Sequence, residues 1–125
     1  MNNPRKLIWG FALAILLAAG WHIARGASQR ETIKGYVLDS ACAFTKDLKK
    51  PISAECAVAC AKAGSPLVIL TDDGTVYWPI SDASPAVGQN DRLMEFAGKR
   101  VSVSGKDYQR GGSRAVVIAT IESEK

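Results

Sequence analysis

The sequence predicts a mainly β domain with two short helices, preceded by one hydrophobic helix near the start of the chain. Three observations predict it: an uncharged apolar stretch over residues 7–24, five later segments with strand-like apolar patterns, and turn-forming residues between them. At 125 residues there is room for one domain. We therefore expect a hydrophobic segment over residues 1–26 and a single domain over residues 27–125.

The apolar stretch predicts export of the domain. As a helix, residues 7–24 would span about 27 Å, close to the roughly 30 Å hydrocarbon core of a bilayer. Arg5 and Lys6 precede it, so the positive-inside rule leaves the N-terminus in the cytoplasm. One interpretation is a single-pass anchor in the inner membrane with the domain in the periplasm. The other is a signal peptide, with Ala24 and Gly26 at the positions that a signal peptidase reads, and a soluble periplasmic domain.

The domain begins with a predicted strand and a helix that carries cysteines. Apolar and polar residues alternate over residues 32–39, as in a strand with one buried face. A basic, turn-prone loop follows and runs to Pro51. The next helix is expected over residues 54–63, with Ser53 as its N-cap and Gly64 as its end.

Two hairpins complete the predicted elements. The first joins the apolar strand 67–70 to strand 76–78 through an Asp-Gly turn. After a loop, Asp91 is expected to cap a short helix that Gly98 closes. The second hairpin joins a strand at 101–105 to a final strand at 115–121 through two consecutive glycines.

The order of these elements predicts the fold. Without the cysteine-bearing helix, the domain has three strands, a helix and two strands. This is the order of the OB-fold, a five-stranded barrel. An α+β sandwich that keeps the same elements without closing a barrel is the alternative.

Four sequence patterns make the domain similar to known proteins. They are GxVxDSxC at residues 35–42, CxxxC at 56–60, a GSPLVxLxxDG hairpin that includes 64–70, and AGxxVxVxG at 97–105. With them the domain resembles a set of small exported bacterial proteins of unknown function. The resemblance covers nearly the whole domain and implies the fold and the location, but no established activity comes with it.

The three cysteines, Cys42, Cys56 and Cys60, form a candidate site. An exported compartment is oxidising, so a disulfide is expected. Helical residues four apart have Cβ atoms about 5–6 Å apart, whereas a disulfide needs roughly 3.5–4.5 Å. Cys42 is therefore expected to pair with Cys56 or Cys60, leaving the third thiol in the core. The alternatives are a Zn²⁺ or Cu(I) site with Asp39 as a fourth ligand, and a redox-active or intermolecular thiol.

The residue types present exclude several kinds of catalytic site. His22, inside the apolar stretch, is the only histidine, so the domain after residue 26 has none. Ser-His and Cys-His dyads, histidine zinc sites and CxxCH haem attachment are therefore excluded. GxGxxG and phosphate-loop patterns are absent. The sequence predicts no enzyme and no cofactor.

The charge distribution indicates which kind of partner the domain binds. Of the 16 basic residues, Arg5, Lys6 and Arg25 lie in or beside the apolar stretch, whereas all 12 acidic residues follow it. The domain is thus nearly neutral, and nucleic acid is an improbable partner. We expect a membrane-tethered accessory module that docks onto a larger membrane protein complex, with lipid contact through residues 7–24. The candidate binding surface comprises Tyr77, Trp78, Arg100, Lys106, Tyr108 and Arg110.

Overall fold

The computed structural model describes residues 30–46 and 52–125. The anchor or signal segment expected over residues 7–24 lies outside the described residues. Among the helices of the described part, none combines the length and the apolar character that crossing a bilayer requires.

The described residues form five strands and four short helical segments, one of them a 3₁₀ turn. In chain order they are β1 (Arg30–Asp39), α1 (Ser40–Thr45), α2 (Ala54–Lys62), β2 (Leu67–Thr71), β3 (Val76–Pro79), α3 (Asn90–Leu93), the 3₁₀ turn (Met94–Phe96), β4 (Arg100–Arg110) and β5 (Ser113–Ser123).

The five strands close into a barrel in the order β1-β2-β3-β5-β4, with β4 returning to pair with β1. All neighbours are antiparallel except β3 and β5, which run parallel from the Tyr77–Arg114 pair to the Pro79–Val116 pair. The mainly β barrel predicted from the strand order is confirmed, and the sandwich without barrel closure is excluded.

The core fills the inside of this barrel. Side chains alternate inward and outward along each strand, and the inward ones meet on the barrel axis. Fully burying a Val, Leu or Ile side chain stabilises the fold by about 1.5–3 kcal/mol. The buried cluster comprises Ile33, Val37, Ala61, Leu67, Ile69, Tyr77, Leu93, Val101, Val103, Val116 and Ile118.

Two helices connect β1 to β2, where the sequence predicted one. The carboxylate of Asp39 accepts a hydrogen bond from the Cys42 N–H and so caps α1, a helix in the stretch expected to be a loop. The Ser53 hydroxyl accepts from the Cys56 N–H at the start of α2, as predicted. Gly64, with φ of +101°, follows the end of α2.

The predicted role of Asp91 as a helix cap is wrong. The helix α3 begins one residue earlier, at Asn90, and no side chain caps it. Asn90 instead accepts a hydrogen bond from the Leu67 N–H at 2.8 Å and donates to the carbonyl oxygens of Ser65 at 2.9 Å and Ala61 at 3.3 Å. One side chain thus joins α3 to the end of α2 and the start of β2.

Arg92 covers the part of β5 that β3 does not reach. The strand β3 pairs with β5 only as far as Val116. Beyond that residue, the Arg92 guanidinium donates to the carbonyl oxygens of Ile118 at 2.7 Å and Ala119 at 3.0 Å. These backbone groups are thereby satisfied without another strand.

Candidate functional site

A buried carboxylate lies where β1 ends. Asp39 is 0% exposed, because its position at the end of β1 is covered by α1 and α2. Its Oδ2 accepts the hydrogen bond from the Cys42 N–H at 3.2 Å. Its Oδ1 is buried and has no donor at standard hydrogen-bond geometry. Among the described residues, no lysine or arginine forms an ion pair with it.

The three cysteines lie on the two helices that pack over β1. Cys42 lies in the first turn of α1 and is half-buried; Cys56, exposed, and Cys60, half-buried, lie one turn apart on α2. Asp39 and Cys56 both contribute to raising the pKa of the Cys42 and Cys60 thiols. We call Asp39, Cys42, Cys56 and Cys60 the thiol cluster.

The disulfide expected for Cys42 is not found in the structure. All three cysteines are free, and their sulfur atoms are not at bonding distance.

The surroundings raise the pKa of two of the thiols. The hydrogen-bonding contact with Asp39, together with burial, raises the pKa of the Cys42 thiol to about 12. Burial, followed by the charge of Asp39, raises the pKa of the Cys60 thiol. Since the thiolate is the nucleophilic form, these two thiols are weak nucleophiles at neutral pH.

The cluster is not arranged around a metal ion as it stands. Within residues 30–46 and 52–125, no three histidine, cysteine, aspartate or glutamate side chains are grouped in a way that could already hold one.

The structure separates the residues of the predicted binding surface. Tyr77 is only 6% exposed and lies inside the barrel, where the Arg114 guanidinium covers its ring at 5.0 Å. This burial follows from its register: Tyr77 pairs with Ile69, and both point inward in the core cluster. Tyr77 thus belongs to the core, in contrast to the surface position expected for it.

Most of the predicted cations on that surface already have acidic partners. Arg100 makes a two-point contact with Asp72, at 2.7 Å for each pair of atoms, and a third contact with Glu124 at 2.8 Å. Lys106 lies 3.5 Å from Asp82. Arg110 is exposed, and no ion pair to it is found in the described part of the chain. These pairs leave little free positive charge for an anionic ligand.

Trp78 and Tyr108 lie on one outward-facing row across three strands. Trp78 pairs with Ala115, and Ala115 pairs with Tyr108. Because the neighbours Tyr77 and Val116 point into the core, these three side chains point outward. Ala115 lies between the two aromatic residues in this row.

Further apolar side chains, which the sequence did not indicate, extend this row. Phe44 of α1 is 69% exposed, and its ring centroid is 6.5 Å from that of Trp78. Ile80 is 38% exposed and Tyr108 40%. Val117 points outward beside Ala115, two residues along β5. We call this set the aromatic face: Phe44, Trp78, Ile80, Tyr108, Ala115 and Val117.

A separate cleft of about 450 Å³ lies between the end of α2 and the loop before α3. Pro66, Pro79 and residues 87–91 contribute to its walls, and Asp91 is the one titratable side chain among the lining residues. It contains no thiol, hydroxyl or second carboxylate to act with Asp91. The thiol cluster and the aromatic face are therefore better candidates for a functional site than this cleft.

No protein family model, curated protein or solved structure matches this chain. The resemblance to small exported bacterial proteins therefore stays a prediction from the sequence patterns. The function must be inferred from the residues themselves.

Proposed function

We propose that this chain is a non-enzymatic, membrane-tethered binding module, whose OB-like domain docks onto a protein outside the cytoplasm. The observation that carries the proposal is the aromatic face. It presents Phe44, Trp78 and Tyr108 on the outside of a closed barrel, although the core inside the barrel is already filled. Uncovered aromatic side chains on one surface are typical of protein–protein contacts.

The fold supports a binding role. The closed five-stranded barrel, with β3 parallel to β5 and a short helix before β4, supports the proposed OB-like fold, which serves mostly as a binding scaffold. The barrel is closed, so a partner must bind through side chains rather than by adding a strand.

The charge pattern supports a protein partner over a nucleic acid. Arg100 and Arg114, which would otherwise give a basic surface, are each paired with two carboxylates. A nucleic-acid surface needs cations that are free to contact phosphates. An apolar face flanked by neutralised charges fits an apolar protein surface instead.

The tether supports a partner in the same membrane. The aromatic face is small, so the free energy from burying it is modest. Confining both proteins to one membrane raises their effective concentration, and a weak contact then suffices. We infer that residues 7–24 anchor the chain in the inner membrane with the domain in the periplasm, and that the partner is a larger membrane protein complex.

The test uses the full chain in native membranes. A photo-crosslinking amino acid in place of Phe44 is expected to capture one protein, whereas the same group in place of the neighbouring exposed Thr45 captures less. Tyr108→Glu should reduce the Phe44 cross-link at least tenfold, because a charge replaces an apolar contact. Gln109→Glu, at the next exposed position of β4, is the matched control and should leave the cross-link unchanged.

Two results would overturn the proposal. One is a chain that migrates as a lone monomer after extraction in mild detergent and gives no cross-link at Phe44. The other is a cross-link that Tyr108→Glu and Gln109→Glu weaken equally. Mass measurement of the extracted chain separately decides whether residues 1–26 are retained.

A further inference from the structure

The helix α1 covers the outside of the barrel at β2 but not at the strands that follow β2 around the barrel. Ile69 of β2 points into the core cluster, so its neighbours Val68 and Leu70 point outward, yet they are only 0% and 3% exposed. The helix α1 packs against this strand. At the next strand, Phe44 of α1 still approaches Trp78, but Phe44 is itself 69% exposed. The cover that α1 gives to β2 therefore ends at the aromatic face.

A positive charge borders the aromatic face along β4. Around Ala115, the charged residues on the outward side of β3, β5 and β4 are both basic, Lys106 and Arg110, and they flank Tyr108 along β4. Lys106 already lies 3.5 Å from Asp82. Arg110 is exposed and forms no ion pair in the part of the chain that the structure describes. The face thus combines exposed apolar side chains with one arginine whose charge is not matched there.

We propose that the partner covers the aromatic face with an apolar segment and places a carboxylate of its own, from an aspartate or a glutamate, against Arg110. This inference rests on the proposed docking function and specifies the chemistry of the partner surface. Tryptophan, tyrosine and arginine contribute most to binding at protein interfaces, and Trp78, Tyr108 and Arg110 lie here in two neighbouring rows of one surface. An arginine can contact both oxygens of a carboxylate, which fixes the orientation in which the partner docks.

The charge pattern favours a different protein over a second copy of this chain. Two copies that met through the aromatic face would each bring an Arg110. The carboxylate beside this face, Asp82, already contacts Lys106 of its own chain. A second copy therefore offers no unpaired carboxylate from the described residues of this face, whereas a different protein can supply one.

The test follows the Phe44 photo-cross-link of the full chain in native membranes, at low and at high salt. A charge at the rim of an interface acts mainly on the rate of association and is screened by salt. We expect Arg110→Gln to lower the cross-link yield roughly two- to fivefold at low salt, as for loss of an exposed ion pair. Arg110→Glu should lower it about tenfold, because reversal adds repulsion. The yield of the unmodified chain should fall as salt rises, and that of Arg110→Gln should change less.

Lys99→Gln and Lys99→Glu are the matched controls. Lys99 is exposed, forms no ion pair among the described residues and lies beside the end of β4 opposite to Arg110. Both Lys99 variants should give the cross-link yield of the unmodified chain. Circular dichroism of all four variants checks that the barrel still folds.

A second cross-link identifies the carboxylate of the partner. Ser113 pairs with Arg110 across the β4–β5 hairpin, and its side chain lies on the same outward side. A photo-crosslinking amino acid in place of Ser113 should attach within a few residues of an aspartate or glutamate of the partner, as mass spectrometry of the cross-linked peptide would show. Changing that acidic residue to lysine should restore the Phe44 cross-link of the Arg110→Glu variant.

The outcomes separate this inference from the docking function. If Arg110→Glu and Lys99→Glu give equal yields while Tyr108→Glu still lowers the yield, the docking function stands and the carboxylate partner is refuted. A cross-linked peptide that comes from this chain itself would identify a second copy as the occupant and overturn the inference. Absence of any cross-link at Phe44 would overturn the docking function and this inference with it.

Discussion

Gly98 lies directly against the main chain of Ala54. A Cβ at residue 98 would be 2.5 Å from the Cα of Ala54, and Gly98 has φ of +75°, in the left-handed region. The contact joins the start of β4 to the start of α2, the helix that carries Cys56 and Cys60. The barrel thus fixes where α2 begins.

Gly98→Ala is expected to destabilise the protein by roughly 2 kcal/mol or more, since a left-handed conformation costs an alanine about 1–2 kcal/mol and the clash with Ala54 adds to it. Urea denaturation measures the loss. Gly74→Ala is the control, because Gly74 has φ of +86° but nothing within 4 Å of the added Cβ. Equal losses for the two variants would show that the contact with Ala54 does not matter.

Asn90→Ala is expected to cost about 3 kcal/mol in the free energy of unfolding. The change leaves the Leu67 N–H of a buried residue without its acceptor, and an unsatisfied buried group costs about 1–3 kcal/mol. It also removes the bond from Asn90 to the Ser65 carbonyl. Gln89→Ala, which loses one exposed bond to the Val87 carbonyl, should cost far less. Thermal denaturation of both variants checks the difference.

The stability of the domain is expected to fall in acid through two carboxylates. The hydrogen bonds from Arg100 lower the pKa of Asp72, and those from Lys34 and then Arg100 lower the pKa of Glu124. A lowered pKa in the folded state contributes stability above the ordinary carboxyl pKa, and that stability is lost as the pH falls through the folded-state value. Melting temperatures measured from pH 7 to pH 2 should therefore decline.

Arg100→Met should flatten this decline and lower the melting temperature at pH 7, because the main cation acting on Asp72 is gone. Arg110→Met, which removes an exposed arginine, should leave the pH profile as it was. If the melting temperature of Arg100→Met falls with pH as steeply as that of the unmodified domain, then Asp72 and Glu124 do not cause the loss of stability in acid.

Arg92→Ala is expected to promote self-association. The substitution leaves the carbonyl oxygens of Ile118 and Ala119 without donors on a part of β5 that β3 does not cover. Uncovered strand backbone is a template for pairing with another chain. Sedimentation at increasing concentration should show dimers or larger species for this variant. Arg110→Ala should remain like the unmodified domain, and identical behaviour of the two variants would count against a covering role for Arg92.

Local patterns in the sequence predicted most of the barrel. The Asp-Gly turn between β2 and β3 and the alternation along β4 depend on nearby residues, so both were predicted correctly. The helix α1 was missed because the basic, proline-ended loop pattern dominated. Asp39 directly before Ser40 was a usable signal, since aspartate is a favoured N-cap.

The composition of the candidate site was harder to predict. The proximity of Cys42, Cys56 and Cys60 followed from their order along the chain, but the burial of Asp39 depends on how α1 and α2 pack over β1. The inward position of Tyr77 depends on strand register, and the outward position of Phe44 on a helix that was not predicted. Such features arise from long-range contacts, which residue types alone do not reveal.

The length of β1 decides which molecules can reach the sulfur atoms. This strand runs from Arg30, next to the segment proposed to enter the bilayer, to Asp39, and ten extended residues span up to about 30 Å. The thiol cluster lies at the end of β1 away from Arg30. With the proposed anchoring through residues 7–24, a molecule that reaches the thiol cluster would come from the aqueous side rather than from within the bilayer.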